Sequence, residues 1–131
     1  MKNKLVLLFL FISLYALGQR IPYNANGIEG VILDWKKPTG IYMVKQTDRL
    51  QVTTADVELF EKYFSISYSK YKKYKRQYLG LRKHGINYLY VRLINPRYAK
   101  INNWKANDAL VADDPDIFDV WFNMKTHQVI F

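Results

Sequence analysis

Apolar and polar positions divide the chain into stretches of different period. The first is an uncharged apolar run over residues 5–17, preceded by Lys2 and Lys4 and too short to cross a bilayer as a helix of about 20 residues. It predicts a signal peptide over residues 1–18, with Ala16 and Gly18 as the small residues before a cut ahead of Gln19. No cysteine stands at the cut, so lipid attachment of the lipoprotein kind is excluded there. Residues 19–39 show no sustained period. Pro22, Gly27, Gly30 and Pro38 punctuate them, which predicts loop with one short strand over residues 30–35.

Periodicity begins after Gly40. Residues 41–45 read as a strand, 46–48 as its turn and 50–52 as a return. A helix is expected to start near Thr54, because Thr53 stands three residues before Asp56 in a capping-box spacing and Asp56 and Glu58 suit the positive end of the dipole. Its apolar stripe runs through Val57, Phe60, Phe64, Tyr68, Tyr71, Tyr74 and Tyr78 at steps of three and four, and predicts helix to about Lys72. From about Lys75 a period of two takes over. It predicts a strand to Lys83, a turn at His84 and Gly85, and a return in which Leu89, Val91 and Leu93 alternate with Tyr88, Tyr90 and Arg92. Residues 97–108 form a connection of open form, and residues 109–112 a strand edge. The stretch "IFDVWFNM" alternates again, with Phe118, Val120, Phe122 and Met124 on one side and Asp119, Trp121 and Asn123 on the other. Residues 125–127 turn the chain into a last strand, "QVIF".

One strand, one helix and about four meandering strands predict an α+β domain over residues 40–131. One main helix packs on an antiparallel sheet of about four to five strands, in two layers. With the leader removed the 131 residues become 113, enough for one core and too few for two.

Charge changes this picture in one respect. Loss of the leader lowers the formal net charge from +9 to +7. From Lys62 to Asn107 there are twelve Lys or Arg and no Asp or Glu, whereas Asp108, Asp113, Asp114, Asp116 and Asp119 follow before Lys125. Such segregation steers anionic partners over a Debye length of about 8 Å. The absence of cysteine excludes disulfides and thiolate metal sites, leaving packing to hold the fold.

The basic aromatic stretch "YSKYKKYKRQY" supplies candidate polyanion-binding residues Lys70, Tyr71, Lys72, Lys73, Tyr74, Lys75 and Arg76. Cations release counterions from a polyanion and tyrosines stack on bases or sugars, which suits an acidic polysaccharide ahead of an exported nucleic acid. The same tyrosines also complete the helical core stripe, and the two roles compete. Trp104 and Trp121 are candidates for a protein-interaction patch. Asp113, Asp114, Asp116 and Asp119 carry the oxygen ligands Ca²⁺ prefers but lack the EF-hand spacing, so a solvated turn is expected. His84 and His127 have no partner at zinc-helix spacing. No nucleophile elbow, phosphate loop or catalytic cysteine appears, and no metal, cofactor or catalytic residue is expected.

"MKNKLVLLFLFISLYALGQ" is similar to signal peptides of Bacteroidota. The elements "GIYMVKQTDRLQVTTADVELFEKYF", "YKRQYLGL" and "FDVWFNMKTHQVIF" resemble small exported proteins of that phylum whose function is uncharacterised. One helix against a meander also resembles cystatin-like domains. The cystatin inhibitory pattern Gln-x-Val-x-Gly is absent, so protease inhibition is not implied. The expected function is an exported, non-catalytic binding or interaction module of the periplasm or extracellular space. It would present a sheet face or edge to a cell-envelope or extracellular protein. A polyanion binder is the second expectation, and an enzyme whose cleft gathers Asp, His and Tyr the third.

Overall fold

The structure, a computed structural model, describes residues 20–34, 36, 48–101, 103–105 and 117–131. The expected leader, the strand over residues 41–45, the strand edge over residues 109–112, and Asp108, Asp113, Asp114 and Asp116 lie outside them.

Among the described residues a mixed sheet of seven strands carries one main helix. In chain order the elements are β1 (Ile21–Ala25), β2 (Ile28–Ile32), β3 (Arg49–Leu50), α1 (Thr54–Ser67), a 3-10 turn (Ser69–Tyr71), β4 (Lys75–Lys83), β5 (Ile86–Ile94), α2 (Pro96–Ile101), β6 (Ile117–Asn123) and β7 (Val129–Ile130). The sheet order is β1-β2-β4-β5-β6-β7, with β3 on β4. The sheet is therefore larger than the expected four to five strands. Nor is it wholly antiparallel, because β2 runs parallel to β4 through the pairs Gly30↔Arg76, Val31↔Gln77 and Ile32↔Tyr78. A parallel neighbour needs a crossover, and α1 lies in it. Among the described residues no helix is long and apolar enough to cross a membrane.

The turns set much of the register. His84 and Gly85 both have positive φ, 51° and 74°, as the two central residues of a tight hairpin loop require, and they lock nine residue pairs between β4 and β5. Asn26 and Gly27 do the same at 54° and 79° between β1 and β2. A hairpin thus occupies residues 21–32, where the punctuation of the sequence predicts loop with one short strand.

The helix starts at the expected residue. Thr53 Oγ1 accepts from the Asp56 amide at 3.2 Å and Asp56 Oδ2 accepts from the Thr53 amide at 2.9 Å, completing the capping box. It ends at Ser67 rather than Lys72, so Lys70, Lys72 and Lys73 follow the helix instead of closing its last turn. The stripe of aromatics nevertheless serves the core. Val57, Phe60 and Phe64 bury against Leu89, Val91, Leu93, Val120 and Phe122, while Tyr68, Tyr71 and Tyr74 pack at the margin of that cluster. Phe64 stacks on Tyr68 at 5.0 Å, and Tyr71 meets Tyr74 edge-on at 5.1 Å.

A simple two-layer arrangement would leave the opposite face of the sheet bare, but that face is covered. Val31, Leu79, Leu81, Tyr90, Ile94 and Ile117 form a second cluster with Ala99 of α2 and with Trp104.

A close approach fixes the edge of β4. A Cβ on Gly80 would stand 2.6 Å from the Leu50 carbonyl oxygen and 2.9 Å from a Val52 methyl, so β3 lies too near for any side chain. Gly80→Ala is expected to lower stability by about 1–3 kcal/mol through overpacking against backbone. Urea unfolding monitored by tryptophan fluorescence measures the loss, and an unchanged midpoint would show that β3 yields freely.

Candidate functional site

Between the β1–β2 hairpin and α1 the surface folds in to a cavity of about 620 Å³. Its position follows from topology, since the parallel β2–β4 pair sets the hairpin beside the helix that crosses over it. Glu58, Glu61, Lys62 and Ser65 face it from α1 at steps of three, one and three, one stripe of the helical repeat. The hairpin supplies Tyr23, Ala25 and Ile28. Tyr68, Ser69 and Lys72 close the end beyond the helix, and the Lys72 stem lies along the hairpin turn, 3.5 Å from where a Gly27 Cβ would stand.

The floor is ionic. Arg76 is 1% exposed and Glu61 4%. Arg76 Nε donates to Glu61 Oε1 at 2.6 Å, and the Tyr78 hydroxyl donates to the same oxygen at 2.7 Å. Arg76 Nη1 donates to the carbonyls of Tyr71 at 3.1 Å and Lys72 at 3.4 Å, and to that of Tyr74. One guanidinium thereby holds the helix, the turn after it and β4 together. Glu61 Oε2 is buried with no hydrogen-bond partner among the described residues. A buried acceptor left so costs about 1–3 kcal/mol until something satisfies it.

Burial pushes the Glu61 carboxyl above its usual range, and the Arg76 charge with the bonds from Tyr78 and Arg76 only partly opposes that. Tyr78 is raised well above its ordinary 10.0, first by burial and then by Glu61. Tyr23 is raised as well, by burial first and then by Glu61 and Glu58. Outside the cavity, Glu29 bridges Lys75 at 2.7 Å and Lys105 at 2.6 Å, and the bonds from Lys105 and Lys75 lower its carboxyl.

These positions redistribute the residues singled out by sequence. Of the seven polyanion candidates, Lys70, Lys72 and Lys73 are exposed. Lys75 is half-buried on Glu29, Arg76 is buried on Glu61, and Tyr71 and Tyr74 are half-buried against the core. The stretch is split because the helix ends early and β4 turns Arg76 to the same face as Tyr78. Trp104 is 7% exposed and packed in the second cluster, and its carbonyl accepts from Gln77 Nε2 at 2.6 Å. It is core rather than patch. Trp121 stays half-buried, edge-on to Tyr88 and Tyr90, with the Lys83 ammonium 5.7 Å from its ring. Asp119 belongs to β6, where Arg92 Nε donates to it at 2.9 Å across the strand pair. His127 stacks on Phe122, with Nδ1 3.1 Å from the Tyr63 hydroxyl. No group of three His, Cys, Asp or Glu that would hold a metal ion occurs among the described residues.

Sequence reasoning misses Glu61 and Tyr23. Glu61 reads as an ordinary charged residue of an amphipathic helix, and its one signal is its place beside Phe60, between Val57 and Phe64, on the buried stripe. No family model matches the chain, and no curated protein and no solved structure matches it either.

Two outcomes test the floor. Glu61→Leu leaves Arg76 and Tyr78 without their acceptor and is expected to cost about 3–5 kcal/mol; Arg76→Met strands the carboxylate at a similar cost, and the double variant recovers part of the loss. A double-mutant cycle by chemical denaturation gives the coupling, and additive losses would contradict it. Glu61 also sets a pH slope. Its folded pKa lies above the ordinary 4.5, so the native state binds more protons than the unfolded chain between the two values. Stability relative to Glu61→Gln is expected to fall as pH rises through that window, as denaturation at several pH values measures. A difference that rises instead would show the carboxyl lowered.

Proposed function

We propose that this protein is an exported, non-catalytic binding module that takes a small ligand in the cavity between the β1–β2 hairpin and α1. The observation that carries the reading is a concavity walled by Tyr23, Ala25 and Ile28 of the hairpin and by Glu58, Lys62 and Ser65 of α1. A volume of about 620 Å³ falls within the roughly 300–1,000 Å³ of small-molecule sites. Apolar walls with a few fixed polar groups are the composition such sites share. Export rests on the charge and apolar pattern of residues 1–18. A cystatin-like relation is part of the same proposal, supported by one helix packed across a β4–β5–β6–β7 meander.

Two other readings draw on less. The protein-interaction surface keeps Trp121 and loses Trp104 to the core. The polyanion surface keeps Lys70, Lys72 and Lys73, three cations on one short turn. An enzyme gathering Asp, His and Tyr has no support in this cavity, whose described lining includes neither Asp nor His.

Amide chemical-shift mapping with a small-fragment library tests the reading on the purified protein. Fragments are expected to perturb the cavity wall, Tyr23, Ala25, Ser65 and Tyr68 among them. Shifts confined to Trp121 and Lys83, or none at the cavity from any fragment, would overturn it.

A further inference from the structure

The chemistry of the cavity narrows the class of ligand; this step rests on the reading that the cavity binds one. Lys62 and Lys72 stand exposed at its mouth with no ion pair among the described residues, so both ammonium groups remain available to an incoming anion. Glu58 is the exposed acid on the same rim. It lies at the far end of the helical stripe from Tyr68, about 15 Å along the axis, which leaves the end nearest Lys72 cationic. With Glu61 engaged by Arg76, the rim sets Glu58 against Lys62 and Lys72, and cations outnumber acids. A cationic ligand is disfavoured on that balance, and an anionic one favoured.

The remaining groups ask for hydroxyls. Ser65, Ser69 and Asn26 offer both donors and acceptors around the wall, and Ser65 Oγ makes only a long bond to the Lys62 carbonyl, 3.5 Å. Tyr23 and Tyr68 add aromatic surface, which packs well against the C–H face of a sugar ring. A ligand that joins one carboxylate, several hydroxyls and an apolar face is a sugar acid. We infer that the cavity takes a uronic-acid residue, its carboxylate toward Lys62 and Lys72, its hydroxyls toward Ser65, Ser69 and Asn26, and its C–H face on Tyr68. Such a residue comes either as a free monosaccharide or as the end of an acidic glycan.

The test is an amide-shift and calorimetric titration of the purified protein with galacturonate, trigalacturonate, galactose, galactosamine and adenosine monophosphate. Galacturonate is expected to shift cavity residues and to bind at least about tenfold more tightly than galactose, as a charge-assisted contact provides. Lys72→Met, which keeps the stem and removes the charge, is expected to lower the galacturonate-to-galactose affinity ratio by about the same factor. Tighter binding of the trisaccharide than of galacturonate assigns the site to a glycan end, and equal binding assigns it to the free acid. Equal affinity for galactose, or tighter binding of galactosamine or the nucleotide at the cavity, overturns the ligand class while the cavity remains a site. Silence from all five probes also overturns it, and the fragment experiment then decides separately whether the cavity binds anything.

Discussion

The fold depends on where one buried positive charge finds its partners. Arg76 sits at the start of β4 with almost no access to water, and a guanidinium there is tolerable only when its donors are met. Glu61 meets one from α1, and three carbonyls of the turn meet another. The bonds reach in different directions, so satisfying the charge fixes the angle of the helix to the sheet, the early helix end at Ser67 and the path of residues 71–74. Tyr78, two residues along β4 on the same face, adds a third anchor on Glu61. What looks in the sequence like a surface grip is, at its last basic residue, the internal fastening of the domain.

The two faces of the sheet solve the same packing problem with different material. Toward α1 aliphatic and aromatic residues surround the buried Arg76–Glu61 pair, with Phe60 set against Phe64 at 5.0 Å and against Phe122 at 5.5 Å. On the other side several polar groups are admitted and paired, although Arg49, opposite Leu81, has Nε and Nη1 buried without a partner among the described residues. Arg92 donates to Asp119 and to the Tyr90 hydroxyl, and Gln77 donates to the Trp104 carbonyl. Burying these groups costs little because each of these donors has an acceptor within the protein.

Local signals are legible in the sequence and long-range ones are not. The capping box at Thr53 and Asp56, the hairpin turn at His84 and Gly85, and the alternation of β5 and β6 each lie within a few residues, and the structure has them where the sequence places them. Asn26 and Gly27 carry a hairpin signal of the same kind, but Pro22, Gly27 and Gly30 taken together read as loop. The parallel β2–β4 pair joins residues about forty or more apart, and no alternation pattern distinguishes it from an antiparallel neighbour. The cavity shares that difficulty, since its walls come from segments whose proximity only the pairing creates. The burial of Arg76 and Trp104 depends on partners far along the chain, Glu61 in one case and Gln77 in the other. Charge and aromaticity alone assign both to the surface.

The parallel pair also has a kinetic meaning. The β4–β5 hairpin closes through a two-residue turn and nine paired positions, whereas the β1–β2 hairpin docks on β4 through three, across about forty residues of intervening chain. Closing so long a segment costs entropy before its contacts can form. The β1–β2 hairpin is therefore expected to form early as a local unit yet join the sheet late, after the helix has reached β4 and Glu61 has met Arg76. The wall it contributes is then the last part of the domain to be assembled and the first to open, and with it go the Tyr23, Ile28 and Ile32 side chains that complete the core.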